Sequence, residues 1–597
     1  MSDDATPPTT SPSGHGRATH STSTESTSSE STSARSATAH DTSAWAPLRN
    51  RVFFALFIGQ LASNLGSMMQ SVGAAWLLGD LGASSAIVAM VQTATFLPVF
   101  LVGIPAGALA DLFDRRKLLV LTQAFMMVTA FAMALLTFLD AITPAGVLGL
   151  TAALGVGTAL MAPAWMAIQP DLVGKEQFGQ AVALSSMTFN VGRAIGPAIG
   201  GLIIAASGPE WVFGINAISF VGTLIVLVAW RPAKVESIPT PVETFTGAAV
   251  AGLRYGVHSA LVRTVLVRVF LLMLPGAAVN ALLPIVVRGP LGWSSTGYGI
   301  LLGCFGVGAT ISAALRPQII RVLHPDALMA VSSLAIGANL LVQGFVANRL
   351  AVGVALFFGG FMWSLATTAT TVAAQAAMPD WVRARGMALY ALVMTGSIAI
   401  GAAAAGFIAN ASLELAHLVP AVVFAVSPLA AFKWPLTWPQ TFDLTPIAGD
   451  TPIVALEPRP DDGPVLVTVA YRVTPDQLEE FGGIMKFIRP HRRRTGALRW
   501  GLYRDLDDPD RFLETFVVSS WAEHVRQHHR RTATSDTQLR RLKPFMDPGG
   551  VAVTHYISAS SPGGMDRPVL EDGRMSLPEF EPDPKPSSRL RRLRSSN

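Results

Sequence analysis

Twelve apolar stretches, each near the roughly 20 residues that a helix needs to cross a bilayer, constrain this chain more than any other feature. They fall at residues 52–78, 86–110, 118–138, 144–167, 178–206 and 211–230, and again at 264–287, 296–317, 327–346, 350–377, 386–411 and 415–432. A polar break from Arg231 to Arg263 divides them six and six. Residues 46–433 hold 19 Lys and Arg against 12 Asp and Glu, a charge density of about 8% where a soluble domain carries roughly 25%. A wholly soluble enzyme is excluded. The expected fold class is an all-α membrane protein built as a half at 46–230, a cytoplasmic linker at 231–263 and a half at 264–433.

The flanks differ in kind. Residues 1–45 are mostly Ser, Thr, Ala and Pro and lack the apolar core of a signal peptide, so a disordered cytoplasmic tail is expected. Residues 434–597 return to a charge density of about 27%, the soluble figure. A Pro-rich linker at 434–464 leads to a domain at 465–558, followed by a disordered tail at 559–597 whose basic end suits anionic headgroups. Within the domain, strands are expected at Val465–Val473, Leu498–Arg504, Phe512–Ser519 and Val551–Ser558. One helix opens at Thr474-Pro475-Asp476, and a His-rich one covers Trp521–Arg530. This strand–helix–strand–strand–helix–strand order predicts a ferredoxin-like α+β fold.

Orientation follows from the basic residues of the short loops. With both termini inside, sixteen of them, among them Arg49, Arg115, Arg116, Lys117, Arg231 and Arg383, collect on the cytoplasmic side, and only Arg288 and Arg349 lie outside. The halves also repeat each other. Gln169-Pro170-Asp171-Leu172-Val173 precedes span five, which ends Gly200-Gly201; Met378-Pro379-Asp380-Trp381-Val382 precedes span eleven, which ends Ala405-Gly406. Gly196 and Gly401 hold matching places. Six-span repeats are a transporter signature, with the substrate site expected between the halves near the midplane.

Two local motifs carry a family resemblance. The loop Gly107-Ala108-Leu109-Ala110-Asp111-Leu112-Phe113-Asp114-Arg115-Arg116-Lys117 resembles the cytoplasmic signature of the major facilitator superfamily, departing at Asp114, where the family has Gly. In span five, Gly192, Gly196, Pro197, Gly200 and Gly201 resemble the motif of the superfamily's antiporters. Asn64, the Asn190-x-x-Arg193 stretch and the C-terminal extension resemble bacterial members of the enterobactin-exporter kind. The resemblance implies a proton-coupled exporter of a small amphipathic metabolite, a siderophore or drug, working by alternating access. It also implies gating roles for Gly107, Asp111, Arg115, Arg116 and the span-five Gly and Pro residues. The counterpart of the loop motif, Arg316 to Asp326, is too degenerate to carry gating.

The same residues can be read physically. Asp111, at a helix end beside three cations, can hold them in one conformation and release them in another. Arg193 is an intramembrane cation, functional by default, with snorkelling to the interface as the alternative. Asn64, Asn190 and Asn280 lie in spans one, five and seven, as substrate or coupling residues or as bridges between helices. Met68, Met69, Met394 and Trp363 would line a cavity for an amphipathic substrate. No carboxylate lies deep in a span; Asp80, Asp140, Glu210 and Glu414 fall near outer ends, so proton coupling lacks a central carrier.

No catalytic residue, cofactor or metal is expected. Cys304 is the single cysteine, and His524 and His528 have ligand spacing without a third partner. The expected partners are a small-molecule substrate, the bilayer, protons as coupling ion and a second copy through the soluble domain's sheet, with no nucleic acid. An importer or facilitator on the same fold, and a membrane-anchored sensor acting through the soluble domain, stay open.

Overall fold

A computed structural model describes residues 43, 45–174, 176–230, 245–436, 445, 447, 452, 454, 458–546 and 553–558, with the side chains at 104, 108, 110–112 and 245–251 excepted. Nearly all of the two expected tails, and much of both linkers, lie outside the described residues.

The first half comprises α1 (Arg51–Asp80), α2 (Ser85–Leu112), α3 (Arg115–Phe138), α4 (Pro144–Val173), α5 (Phe178–Ser207) and α6 (Pro209–Ala229). A linker helix α7 (Phe245–His258) follows. The second half comprises α8 (Ala260–Ala281) with its continuation α9 (Leu283–Arg288), α10 (Ser295–Val322), α11 (Pro325–Phe345), α12 (Arg349–Ala376), α13 (Asp380–Ala411) and α14 (Leu413–Val426), extended by α15 (Ala430–Lys433). Twelve spans long and apolar enough to cross a membrane result. Local chemistry sets where they start. Asn50 accepts from the Val52 and Phe53 amides to cap α1, and Thr143 caps α4 with Pro144 in its first turn.

The helices outrun their apolar stretches. Hydropathy stops at the membrane boundary, whereas the backbone hydrogen-bond ladder continues until something caps it. One consequence concerns the two Pro-Asp pairs: Pro170 and Asp171 sit in the last turn of α4, while Pro379 is the N-cap of α13. They are not equivalent places in the fold, although they are matched in sequence.

The repeat is real at the level of packing. α1 packs on α5 and α6, α2 on α4, and α3 on α4 and α6; correspondingly α8 packs on α13 and α14, α10 on α12, and α11 on α12 and α14. The halves meet along α2–α13 and α5–α10. Small residues make these seams. A Cβ on Gly196 would meet the Leu65 carbonyl of α1, and one on Gly401 would meet the Leu274 carbonyl of α8. Gly201 lies against Gly299 of α10, and Gly406 against Ala86 of α2. Each pair is the repeat of the other, with backbones close enough that only glycine fits.

The soluble domain contains β1 (Val465–Arg472), α16 (Leu478–Thr495), β2 (Arg499–Arg504), β3 (Arg511–Val518), α17 (Trp521–His529), α18 (Ala533–Arg540) and β4 (Val553–Ile557). A capping box between Thr474 and Gln477 precedes α16. The sheet runs β2-β3-β1-β4, antiparallel throughout, the order expected of a ferredoxin-like fold. Val465, Val467, Val469 and Tyr471 pack from one sheet face against Phe481, Ile484 and Ile488. The short helix α18 is an addition to the expected order of elements.

Candidate functional site

At 100° per residue, α5 has four distinct faces. Gly192, Gly196 and Gly200 meet Asn64, Met68 and Met69 of α1, whereas Ala194, Ala198 and Gly201 meet Gly306, Gly303 and Gly299 of α10. Ile195, Ile199 and Leu202 are exposed on the outer side. Between the α1 and α10 seams lie Ser186, Asn190 and Arg193, facing the axis between the halves. Arg193 stands at the midpoint of the 30-residue α5. Its guanidinium lies 5.4 Å from the ring centre of Phe305 on α10, in the other half. It reaches across the interface instead of toward the membrane surface. Among the described residues it makes no hydrogen bond or ion pair.

The amides divide. Asn64 donates to Thr188 Oγ1 at 2.9 Å and accepts from Gln60 at 3.2 Å, bridging α1 and α5. Asn190 is exposed and Asn280 half-buried, and neither makes a side-chain hydrogen bond among the described residues. The expected Met and Trp lining is corrected: Met69 and Trp363 are buried core residues, Trp363 packed on Gly276. Their apolarity marked packing between helices and not a binding surface. Met68 packs on Gly196, and Met394 lies partly buried against the main core. A cavity of about 130 Å³ lies instead inside the first half, walled by Gln70, Ser71, Thr95, Thr151 and Asn216 among others.

At the loop end, Asp114 caps α3 by accepting from the Lys117 amide at 2.9 Å. That is what Asp supplies in the position where the family signature has Gly. Arg115 donates to the Ala167 carbonyl and stands 3.7 Å from Asp171; Arg116 donates to Leu227 and Val228 carbonyls at 2.8 and 2.6 Å. Arg116 thus binds the free carbonyl end of α6, and Arg115 lies along the last two turns of α4 beside Asp171. Gly107 has nothing within 4 Å of the place a Cβ would take, and the Asp111 side chain lies outside the described residues. In the second half Asp326 pairs with the buried Arg268 and accepts the Leu436 amide at 3.2 Å. Asp326 carries no motif signal in its loop. The His324-Pro325-Asp326 helix start was the available signal.

The opposite end is tied between the halves. Arg288 of α9 reaches Asp80 of α1 at 2.7 Å and the Trp76 carbonyl at 3.2 Å, with its guanidinium 4.3 Å from the Trp76 ring centre. The Ala86 amide of α2 donates to Asn410 Oδ1 of α13 at 2.9 Å. Trp76 stacks on Tyr298.

The soluble domain docks on the second half. Glu523 accepts from Arg254 of α7 at 2.8 Å, from Arg530 at 2.6 Å and from Arg526 at 3.0 Å, and Arg530 lies over Trp381 of α13. Burial alone would raise the Glu523 carboxyl, but the hydrogen bond and charge of Arg530, with bonds from Arg254 and Arg526, hold it below the ordinary value. Glu514, fully buried, accepts from Tyr471, Arg492 and Trp500. His524 lies between His528 and His555, with ring centres 4.9 and 4.8 Å away. Burial first, then neighbouring His and Arg charge, pushes His524 and His528 down to about 3. No group of three His, Cys, Asp or Glu among the described residues is arranged to hold a metal.

The model of the transmembrane secretion effector family matches residues 42–563. This chain belongs to that family. The match runs on through the soluble domain, so in this transmembrane secretion effector the domain falls within the family's own extent. The staphyloferrin A transporter of Staphylococcus aureus is 27% identical over 279 residues, 46% of this chain and 70% of that protein. The enterobactin exporter EntS of Escherichia coli is 27% identical over 302 residues, 50% and 71%. A POT family transporter solved with 5-aminolevulinic acid shares the fold at TM-score 0.54 and 13% identity, covering 65% of this chain and 96% of that one. The nucleoside transporter NupG does so at TM-score 0.54 and 12% identity, covering 64% and 99%. The transmembrane secretion effector described here is therefore a transporter of the major facilitator fold, not an enzyme, and a multi-pass protein of the bacterial inner membrane.

Proposed function

We propose that this protein exports a small amphipathic metabolite, of the siderophore or drug kind, from the cytoplasm by alternating access driven by the proton-motive force. The loop end of the bundle, which collects the basic residues, is cytoplasmic, as are both termini. The observation that carries this reading is the Asp80–Arg288 pair, which ties the halves together at the far end. In a carrier tied at its outer end the lumen is reached from inside, which is the state in which an exporter takes its load. Rocking the halves about the glycine seams breaks that tie and opens the outer end. Asp111 and its neighbouring cations form the switch at the inner end.

The soluble domain regulates or stabilises transport without chemistry of its own. Its free sheet face, carrying Leu466, Leu513 and the exposed Tyr503 and Tyr556, suits pairing with a second copy. The reading is tested by comparing metabolites in cells and medium of a deletion strain and its complemented parent. Export predicts a metabolite that falls in the medium and rises in the cells of the deletion strain. A fall inside the cells would point to import, and unchanged export after removal of residues 440–597 would remove the regulatory role.

A further inference from the structure

Arg193 and Asn190 form an unusual pair. They lie three residues apart on the axial face of α5, one at the helix midpoint, and neither is bonded to any described group. A guanidinium carries five donors and an amide carries two more, all needing acceptors in a low-dielectric setting. No carboxylate of the spans lies at their depth, since every Asp and Glu of the twelve spans falls within about a turn of a helix end. Two of these carboxylates, Asp80 and Asp326, are already engaged by Arg288 and Arg268. Among the described residues, the lumen therefore holds a positive charge with no counter-charge beside it.

We infer that the substrate is an organic anion whose carboxylate, or comparable oxyanion, is held by Arg193 and Asn190, with its apolar part against Phe305, and that the membrane potential drives its exit. This rests on the export reading above. Arg193 sits at the α5–α10 seam, so an anion bound there touches both halves and is handed over as they rock. Arg193 goes out and returns in each cycle, so the net charge moved is the substrate's own. With the cell interior negative, each negative charge that leaves is favoured by roughly 50-fold at an ordinary bacterial potential. The electrical part of the proton-motive force then suffices, and a lumen without a carboxylate to carry protons is what such a cycle needs.

The test uses the full chain in proteoliposomes, with hippurate, an amphipathic carboxylate, and its neutral carboxamide as matched probes. Potassium diffusion potentials of either sign are imposed with the pH held equal, and pH gradients with the potential clamped at zero. The inference predicts protein-dependent hippurate flux toward the positive side that reverses with the potential, no response to the pH gradient alone, and no such flux of the carboxamide. Arg193→Gln should lower the flux roughly ten- to a hundredfold, the loss expected for a charged hydrogen-bonding partner, while expression and the thermal transition of the purified chain stay as in the parent. Equal transport of the carboxamide, an unchanged Arg193→Gln variant, flux driven by the pH gradient alone, or no protein-dependent hippurate flux would each overturn it. Those results leave the deletion-strain comparison untouched, so failure here is distinct from failure of the export reading.

Discussion

Arg288 and Asp80 meet at 2.7 Å across the line between the halves, and Arg288 also bonds the Trp76 carbonyl of α1 and lies over its ring. The pair is partly open to solvent, with 37% and 46% side-chain exposure, so it contributes about 0.5–1 kcal/mol and biases the conformational equilibrium without locking it. Asp80→Asn should raise labelling of a cysteine placed at the buried Ala75, on a Cys304→Ser background, by two- to fivefold. The swap Asp80→Arg with Arg288→Asp should bring it back. Labelling that does not change in the single variant would remove the pair from gating.

The glycine seams give a prediction with an internal control. A methyl group on Gly201 would press on Gly299 of α10, 3.0 Å from its Cα, where two backbones cannot move apart without parting the halves. Gly201→Ala should cost about 1–3 kcal/mol and depress both expression and transport. Gly107→Ala meets open space and should express like the parent. Thermal shift of the purified variants checks both.

The docking of the soluble domain depends on one carboxylate that three arginines share. Glu523→Gln removes the carboxylate that Arg254 of α7 reaches across the contact and should weaken docking by about 1–3 kcal/mol. Faster proteolysis within residues 434–464 of the intact protein is the expected readout. Unchanged proteolysis would mean that Arg530 on Trp381 suffices.

The histidine cluster sets an acid limit on that domain. Burial pushes His524 and His528 down to about 3 in the folded domain against an ordinary value of about 6.5 when unfolded, so the unfolded chain binds more protons throughout that window. Folding stability is complete above about pH 6.5 and falls as the pH drops toward 3, by about 1.4 kcal/mol per pH unit for each such proton. Glu514 and Glu523, held below the ordinary carboxylate value, add their loss only at lower pH. The domain's calorimetric transition should drop between pH 6.5 and 5, and His528→Gln should make that drop shallower.

Much of this architecture is legible along the chain because it depends on one-dimensional signals. Span length and apolarity placed the twelve membrane helices, and the Thr474 cap and alternating strands placed most of the soluble domain. The repeat was visible in Gly196 and Gly401 because backbone contact leaves no choice of residue. What stayed hidden depends on distant parts of the chain. Asp80 and Arg288 are 208 positions apart, and only the packed halves bring them together. His555 joins His524 through the pairing of β4 with β1, which no local spacing encodes. Trp363 and Met69 look the same in sequence whether they face a cavity or a neighbour. For Arg193 the sequence gives the cation, and the two seams of α5 give its direction.

The central claim is outward transport, and inside-out membrane vesicles test it most directly. Vesicles from the complemented strain, energised by respiration, should accumulate the metabolite lost from the medium of the deletion strain. Accumulation should collapse when the potential is dissipated and be absent from vesicles of the deletion strain. Accumulation of the same metabolite only in right-side-out vesicles would contradict the account.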